Sequence, residues 1–130
     1  LHEHNVKIRT AIDRYRGREV DTTGDGFFAL FDGAAKAVHA AALMDPSLAE
    51  LGVRVRVGIH TGEVELVGGK PRGVAVHAAA RIAALALPGE VLISGTTRDL
   101  IDGSGLRFES RGAHELKGLS GARPIFALQR

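Results

Sequence analysis

Apolar residues recur at helical spacing from the very start of the chain. Ile8, Ile12 and Tyr15 lie on one side of a helix if the segment is wound with 3.6 residues per turn, and Gly17 is a typical helix stop. The helix is already under way at the first residue. We therefore expect the natural domain to begin upstream of Leu1.

The next segments predict a β-hairpin followed by a second helix. Residues 18–23 read as a strand, a Gly-Asp-Gly turn follows, and the apolar run 27–31 forms the returning strand. Helical spacing then resumes over 34–44. Proline disfavours helical backbone at the residue before it, so Asp45 and Pro46 are predicted to end this helix.

A second hairpin is predicted in the middle of the chain. Apolar residues alternate with polar residues and glycine over 53–59, the segment His-Thr-Gly at 60–62 reads as a turn, and 64–66 reads as the returning strand. The glycine-rich segment 68–73 is predicted to be a loop. We expect the hairpin to be half-buried.

A third helix is predicted over residues 75–86, closed by the Pro-Gly pair at 88–89. Its apolar face consists mainly of alanine. His77 and Arg81 lie on another face and are four residues apart, so both side chains point in the same direction. Any molecule or segment that packs on that face would contact both the histidine and the arginine.

The rest of the chain predicts strands at 91–94, 106–109 and 124–128, with a short helix near 96–101. Helices and hairpins in this order predict an α+β sandwich. We expect a mostly antiparallel sheet with helices on one face.

Composition narrows the class of protein. The 130 residues are 45% hydrophobic and 25% charged, which is typical of a single globular domain, and the absence of cysteine excludes a disulfide scaffold, a zinc ribbon and a thiol nucleophile. No apolar run is long enough to span a membrane, and the first fifteen residues do not resemble a signal peptide. A net charge of +2 spread along the chain gives little support to nucleic-acid binding. We expect a cytoplasmic domain without membrane contact.

The carboxylate of Asp25 is a candidate ligand for a divalent cation. A turn between two rigid strands holds such a group firmly and leaves it exposed, and hard cations prefer oxygen ligands. The same Asp-Gly pair is also ordinary hairpin chemistry, which the turn alone favours. His60 could serve as a ligand or base, but a single histidine at a strand end is more often a hydrogen-bonded structural residue.

His77 and Arg81 also allow two interpretations. Packing does not require them, because alanines already supply the apolar face of their helix, and a guanidinium is suited to phosphate oxygens. A solvated helix face is the alternative. The helix by itself does not decide between the two.

Four segments taken together resemble the catalytic domain of class III nucleotidyl cyclases, the adenylate and guanylate cyclase family, and its bacterial branch in particular. They occur in that family's order and spacing, and the resemblance covers nearly the whole chain. The segments are GREVDTTGDGFFALFDG, RVGIHTGEVE, GVAVHAAARIAALALPGEVLIS and RGAHELKGLSG.

The resemblance implies a ferredoxin-like fold and chemistry on a nucleoside triphosphate. The ribose 3′-hydroxyl would attack the α-phosphorus, pyrophosphate would leave, and a 3′,5′-cyclic monophosphate would remain. Two Mg²⁺ or Mn²⁺ ions would be held by two aspartates. One would help to deprotonate the hydroxyl, and the other would neutralise charge on the triphosphate. Asp25 matches the second of these aspartates. The first, with its strand and the phosphate-binding turn that follows, would lie upstream of Leu1.

Further roles are carried over from the family residue by residue. Arg81 matches the arginine that stabilises charge in the transition state, and Lys117 matches a lysine that contacts the triphosphate. His77 stands where many members have an asparagine that orients the ribose. Family members build these sites across a head-to-tail homodimer, so the resemblance implies that monomers are inactive.

The purine-selecting positions depart from the adenylate cyclase pattern. Asp21 stands where a lysine is usual, and Lys70 aligns with the companion aspartate. The signs of the two charges are therefore reversed. The reversed pair either reads the base in an unusual way or marks base recognition that has decayed.

Three functions follow for comparison. The first is cyclisation of ATP, with GTP as the other possible substrate, by the full-length protein. The second is a catalytically silent cyclase-homology module used for dimerisation or nucleotide sensing. The third, an unrelated RNA-binding sandwich, would need exposed aromatic residues on its sheet, whereas the few aromatics here occupy core-like positions.

Overall fold

A computed structural model describes the backbone of residues 2–23 and 26–129; side chains are described from residue 5 onward, apart from 21–26. Four helices and eight strands lie within these residues. In chain order they are α1 (His2–Arg14), β1 (Arg18–Thr23), β2 (Gly26–Leu30), α2 (Ala34–Ala49), β3 (Val57–Ile59), β4 (Glu65–Val67), β5 (Lys70–Arg72), α3 (Val74–Leu85), β6 (Val91–Ser94), α4 (Gly95–Leu100), β7 (Phe108–Glu115) and β8 (Ala122–Leu128).

The first helix and the first hairpin form as predicted. β1 and β2 pair antiparallel, with Arg18 opposite Leu30 and an irregular register near Glu19. Ile8 and Ile12 of α1 are buried in one cluster with Leu48 of α2 and apolar side chains of β2. The apolar spacing of α1 therefore marks the face that packs against α2 and the hairpin.

The predicted end of α2 is wrong. The helix continues through Pro46 to Ala49, although proline carries no N–H for the helical hydrogen-bond ladder. Packing of the last turn offsets this loss, because Leu48 is fully buried against α1 and Asp45 is buried beside Arg54. Burial of a leucine side chain contributes about 1.5–3 kcal/mol, comparable to the cost of an internal proline.

The predicted second hairpin is also wrong. Only Val57–Ile59 of the alternating segment is a strand, and it pairs in parallel with β6, giving a four-stranded sheet of order β3-β6-β8-β7. The chain passes from β3 to β6 through α3, the crossover that parallel neighbours require. Alternation marks a strand with two different faces but does not identify its partner.

The segment predicted as a loop contains a small hairpin of its own. β4 pairs antiparallel with β5, and Gly68 and Gly69 form the turn between them with φ values of 60° and 81°. Side chains other than glycine adopt such values at a cost, so the two glycines make this tight reversal possible. The hairpin leads directly into α3.

The later elements follow the prediction closely, although β7 is longer than predicted. β8 pairs antiparallel with both β6 and β7. β6 is buried along its whole length because α3 covers Leu92 on one face while α2 packs with Val91 and Ile93 on the other. The α+β class with a mostly antiparallel sheet is confirmed. The sequence predicts helices on one face, whereas in the four-stranded sheet α3 packs on one face and α2 on the other, because both faces of β6 are apolar. No helix in the described part of the chain is both long and apolar enough to cross a bilayer.

Candidate functional site

The orientation of α3 is fixed by unusually close contact with β3. Ala78 and Ile82 of α3 are fully buried on the side of the helix that faces the sheet. Gly58 of β3 faces it so closely that an added Cβ would lie 2.6 Å from the carbonyl oxygen of Ala79 and would clash with the backbone of Ala83. Small residues on both elements allow this approach, which leaves the opposite side of α3 facing away from the sheet.

His77 and Arg81 both lie on that exposed side. Within the described residues, neither side chain forms a hydrogen bond or an ion pair. The guanidinium of Arg81 is thus free to meet an anion from solvent or from another molecule. The structure agrees with the prediction that the two residues share an exposed face.

The loop between β7 and β8 brings Lys117 close to the start of α3. Gly118 has φ +93°, and an added Cβ there would lie 3.3 Å from Cγ1 of Val74. Lys117 itself is exposed. Lys117 therefore lies near the N-terminal end of α3, the end that contains His77, although it is 40 residues further along the sequence.

Lys70 approaches the same end of α3 from the other direction along the chain. It begins β5, which runs into the helix through Gly73, and its side chain is exposed. β5 also lies against β1, the strand that contains Asp21. The strands of the two predicted purine selectors are thus neighbours, while the side chain of Asp21 is outside the described part of the structure.

The predicted metal ligand, Asp25, lies outside the described residues. Among those that are described, no group of three or more histidine, aspartate or glutamate side chains could hold a metal ion. A carboxylate is the right kind of donor for Mg²⁺ or Mn²⁺, but one aspartate is not a complete ligand set. The metal requirement therefore rests on the resemblance.

His60 belongs to a hydrogen-bonded chain of four side chains. Its Nδ1 lies 2.7 Å from Oγ of Ser94, which lies 3.1 Å from Oγ1 of Thr97, and Oγ1 of Thr61 lies 2.9 Å from the same threonine oxygen. Burial, and secondarily the positive charge of Arg123, lower the pKa of His60 below its ordinary value of 6.5. The interpretation of His60 as a hydrogen-bonded structural residue agrees with this geometry.

Sequence reasoning did not identify the residues that hold the site together. Gly58 and Gly118 permit the close approaches to α3, and Ser94 and Thr97 anchor His60. A glycine interrupting an alternating strand is a signal for close approach by another element, and it was present at residue 58. Nothing local in the sequence indicates that Ser94 meets His60.

Comparison with known proteins places this arrangement in a family. The family model for the adenylate and guanylate cyclase catalytic domain matches residues 1–129. The chain belongs to this cyclase family. The resemblance inferred from four motifs is therefore confirmed over essentially the whole chain.

Individual relatives agree with this assignment. The domain is 32% identical over 120 residues to a Rhizobium meliloti protein named "Putative adenylate cyclase 3", covering 85% of this chain and 20% of that protein. An adenylate/guanylate cyclase/hydrolase structure from Silicibacter pomeroyi superimposes with a TM-score of 0.86 at 27% identity, covering 95% of this chain and 78% of that one. The adenylyl cyclase CyaB from P. aeruginosa shares the fold, with a TM-score of 0.80 at 23% identity over 99% of this chain and 80% of that one.

The cyclase domain described here spans only a fifth of the length of its Rhizobium relative. Both adenylate and guanylate cyclases occur among the proteins whose structures match it. Family membership therefore establishes a cyclase catalytic domain without selecting ATP or GTP.

Proposed function

We propose that the intact protein is a nucleotidyl cyclase that converts ATP, and also GTP, to the 3′,5′-cyclic monophosphate and pyrophosphate. The observation that carries the proposal is the exposed face of α3, where His77 and Arg81 lie together without partners among the described residues. A surface arginine four residues from a histidine, on a helix whose other face is closely packed, is well suited to binding an anionic substrate.

Each residue has a defined role in this proposal. The 3′-hydroxyl oxygen attacks the α-phosphorus as the bond to the pyrophosphate oxygen breaks, and Arg81 stabilises the negative charge that develops on the phosphoryl oxygens. A ring nitrogen of His77 hydrogen-bonds the ribose and orients it for attack. Lys117 neutralises part of the triphosphate charge.

Two Mg²⁺ or Mn²⁺ ions complete the proposed site. When bound, they would lower the pKa of the attacking hydroxyl and neutralise charge on the triphosphate. Asp25 is the proposed ligand within this chain. A second aspartate would come from a strand preceding Leu1, and the open edges of the described sheets leave room for one: β2 pairs only with β1, and β3 only with β6, within the described residues.

The active site is proposed to form between two subunits of a head-to-tail homodimer. His77, Arg81 and Lys117 of one subunit would act on a nucleotide whose metal ions are held by the other. The exposure of all three side chains in a single copy of the domain supports this, because groups that work at an interface must be accessible before assembly.

Mixing two inactive variants tests the shared site. Asp25→Ala and Arg81→Ala, each made in the intact protein, should have at most about 1% of the parent activity as separate homodimers. One of the two sites in their heterodimer contains neither substitution. Each heterodimer should therefore have up to about half of the activity of a parent homodimer, which has two intact sites. No recovery despite demonstrated subunit exchange would exclude the shared site.

A catalytically silent module for dimerisation or nucleotide sensing is the second candidate. It is favoured by Asp21 and Lys70, which reverse the charges of the adenylate cyclase selectors. The two candidates differ in a direct assay. The silent module would bind nucleotide without releasing pyrophosphate at saturating Mn²⁺, whereas the cyclase would release pyrophosphate and cyclic nucleotide in equal amounts.

A further inference from the structure

Four side chains are linked in series by hydrogen bonds, from Thr61 through Thr97 and Ser94 to His60. The protons of these hydrogen bonds can all point toward His60 or all point away from it. Ser94, Thr97 and Thr61 are hydroxyl residues, each with one proton to donate and two lone pairs to accept. The backbone N–H of Thr97 already donates to Oγ of Ser94. One lone pair and one proton of Ser94 therefore remain for its contacts with His60 and Thr97.

In one direction every proton points toward His60. Thr61 donates to Thr97, Thr97 donates to Ser94, and Ser94 donates to an unprotonated Nδ1. The 2.7 Å separation of Nδ1 and Oγ is short for an N–H donor and ordinary for a hydroxyl donor. This distance favours a neutral ring that carries its proton on Nε2.

A proton on Nδ1 requires the opposite direction. The ring then donates to Ser94, Ser94 donates to Thr97, and Thr97 donates to Thr61. Ser94 and Thr97 are 3% and 0% exposed, so no water can substitute for a partner that points the wrong way. Every hydroxyl in the chain must therefore turn when the ring is protonated at Nδ1.

The far end of the chain leads to the candidate site. Thr61 precedes Gly62, whose added Cβ would lie 2.9 Å from Cβ of Ala75 in the first turn of α3. An added Cβ at Gly73 would lie 3.1 Å from the carbonyl oxygen of Glu63. The segment that begins at Thr61 is thus packed tightly against the start of the helix that carries His77 and Arg81.

We propose that His60 is a proton-responsive positioning residue: protonation at Nδ1 reverses the hydrogen bonds as far as Thr61 and thereby changes how the segment beyond it is held against α3. The link to catalysis rests on the proposed function, whereas the reversal itself concerns only the fold. This role is distinct from those of the residues that would touch the nucleotide.

The surroundings of His60 favour its neutral form. β6 and α4 present hydroxyls, and the residues of α3 that approach β3 and the segment after it are alanines. Burial lowers the pKa of His60, and so does Arg123 of β8, the charged group among the described residues that acts on the ring. As pH falls, the unfolded chain therefore takes up the His60 proton before the folded protein does. The contribution of His60 to folding stability does not change above the unfolded pKa near 6.5, and stability is lost as pH falls below it.

Nitrogen NMR of the labelled ring tests the reversal directly. At about pH 8, where an ordinary histidine is neutral, we expect the proton on Nε2 and none on Nδ1; on acidification Nδ1 should gain a proton at a midpoint below that of an unstructured histidine peptide. A neutral ring with its proton on Nδ1 would overturn the proposal, and so would a midpoint equal to that of the peptide.

A variant that cannot titrate tests the consequence. His60→Asn puts an amide where Nδ1 lies, so the hydrogen bond to Ser94 can form without a titrating group. The loss of melting temperature between about pH 7.5 and about pH 5.5, on either side of an ordinary histidine pKa, should shrink by at least half. His39→Asn is the matched control, because His39 is stacked on Tyr15 and does not belong to the hydrogen-bonded hydroxyls. Its melting temperature should fall between the two pH values as much as that of the parent.

Unchanged pH dependence in His60→Asn would overturn the proposal. Neither measurement requires turnover, so a protein without cyclase activity can still meet or fail them. In an active protein, His60→Asn should also flatten the acidic side of the kcat profile. If the kcat profile were unchanged while the NMR and stability results held, the hydrogen-bond reversal would be supported and its link to catalysis would be wrong.

Discussion

Gly58 of β3 lies beneath Ala79 of α3 at a distance that leaves no room for a side chain. The Cβ of an alanine at position 58 would lie 2.6 Å from the Ala79 carbonyl oxygen, and the atoms in the way belong to helix backbone. The helix that carries the candidate residues can therefore keep its position only while this strand residue is glycine.

We expect Gly58→Ala to destabilise the fold by about 2–3 kcal/mol, the upper range for overpacking, because α3 must move as a whole to relieve the clash. Urea unfolding followed by circular dichroism measures the change. Gly33→Ala is the control, since its nearest neighbour, the flexible side chain of Lys36, would be 3.8 Å away. Gly33 is the N-cap of α2, where alanine is less favourable than glycine, so this substitution should cost no more than about 1 kcal/mol. Equal costs at the two positions would contradict this account of Gly58.

Asp45 and Arg54 are expected to contribute measurable stability. Nε and Nη2 of Arg54 lie 3.1 and 3.2 Å from the two carboxylate oxygens, and Asp45 is buried in the turn of α2 that contains Pro46. Asp45→Asn removes the charge from this paired arrangement. Arg54 is half-exposed and regains water, so the expected loss is about 1–2 kcal/mol rather than the larger cost of a fully buried pair.

The control for that measurement is Asp99→Asn. Asp99 meets Arg98 at 3.7 Å and both side chains are largely exposed, so its loss should change the free energy of unfolding by less than about 0.5 kcal/mol. If Asp45→Asn were no more costly than Asp99→Asn, the helix would not depend on the ion pair to continue through Pro46.

Arg81→Ala should reduce kcat of the intact protein by about 100- to 1,000-fold, the scale for removing one group that stabilises transition-state charge. Its melting temperature should stay within about a degree of the parent, because an exposed side chain that has no partner among the described residues contributes little to folding. Arg81→Lys should recover only part of the rate, since an ammonium cannot contact two phosphoryl oxygens in the same planar geometry.

Arg107→Ala is the matched control for Arg81→Ala. Arg107 is also an exposed arginine, but it lies just before β7 rather than on α3. We expect its kcat to equal that of the parent. A similar loss in both variants would point to a general effect of positive surface charge rather than to a specific role for Arg81.

Discrimination between ATP and GTP should be weak. β1 and β5, the strands that contain Asp21 and Lys70, are neighbours. We expect the two opposite charges to pair with each other instead of reading a purine. Contacts to the ribose, phosphates and metal ions are common to both nucleotides, and the ratio of kcat/KM values should stay within about tenfold. Asp21→Ala should change this ratio little. A preference of about a thousandfold that disappears in Asp21→Ala would mean that the reversed pair reads the base.

The sequence alone determined the elements whose stability is local. The hairpin of β1 and β2 follows from a short turn between two strands, and the buried face of α3 follows from alanines at helical spacing. Motif order was sufficient to predict the cyclase family, and the spacing of His77 and Arg81 was sufficient to predict their common face.

Only the tertiary structure decided the relationships between distant segments. Three features join or depend on residues far apart in the chain: the pairing of β3 with β6, the continuation of α2 through Pro46, and the hydrogen bond between Ser94 and His60. Local pattern opposed the second of these, indicated a different partner for β3, and gave no indication of the third. Burial of Leu48 and the crossover through α3 reversed the local expectations, because the free energy of packing depends on which surfaces meet, and a pattern along one segment records only that a surface exists.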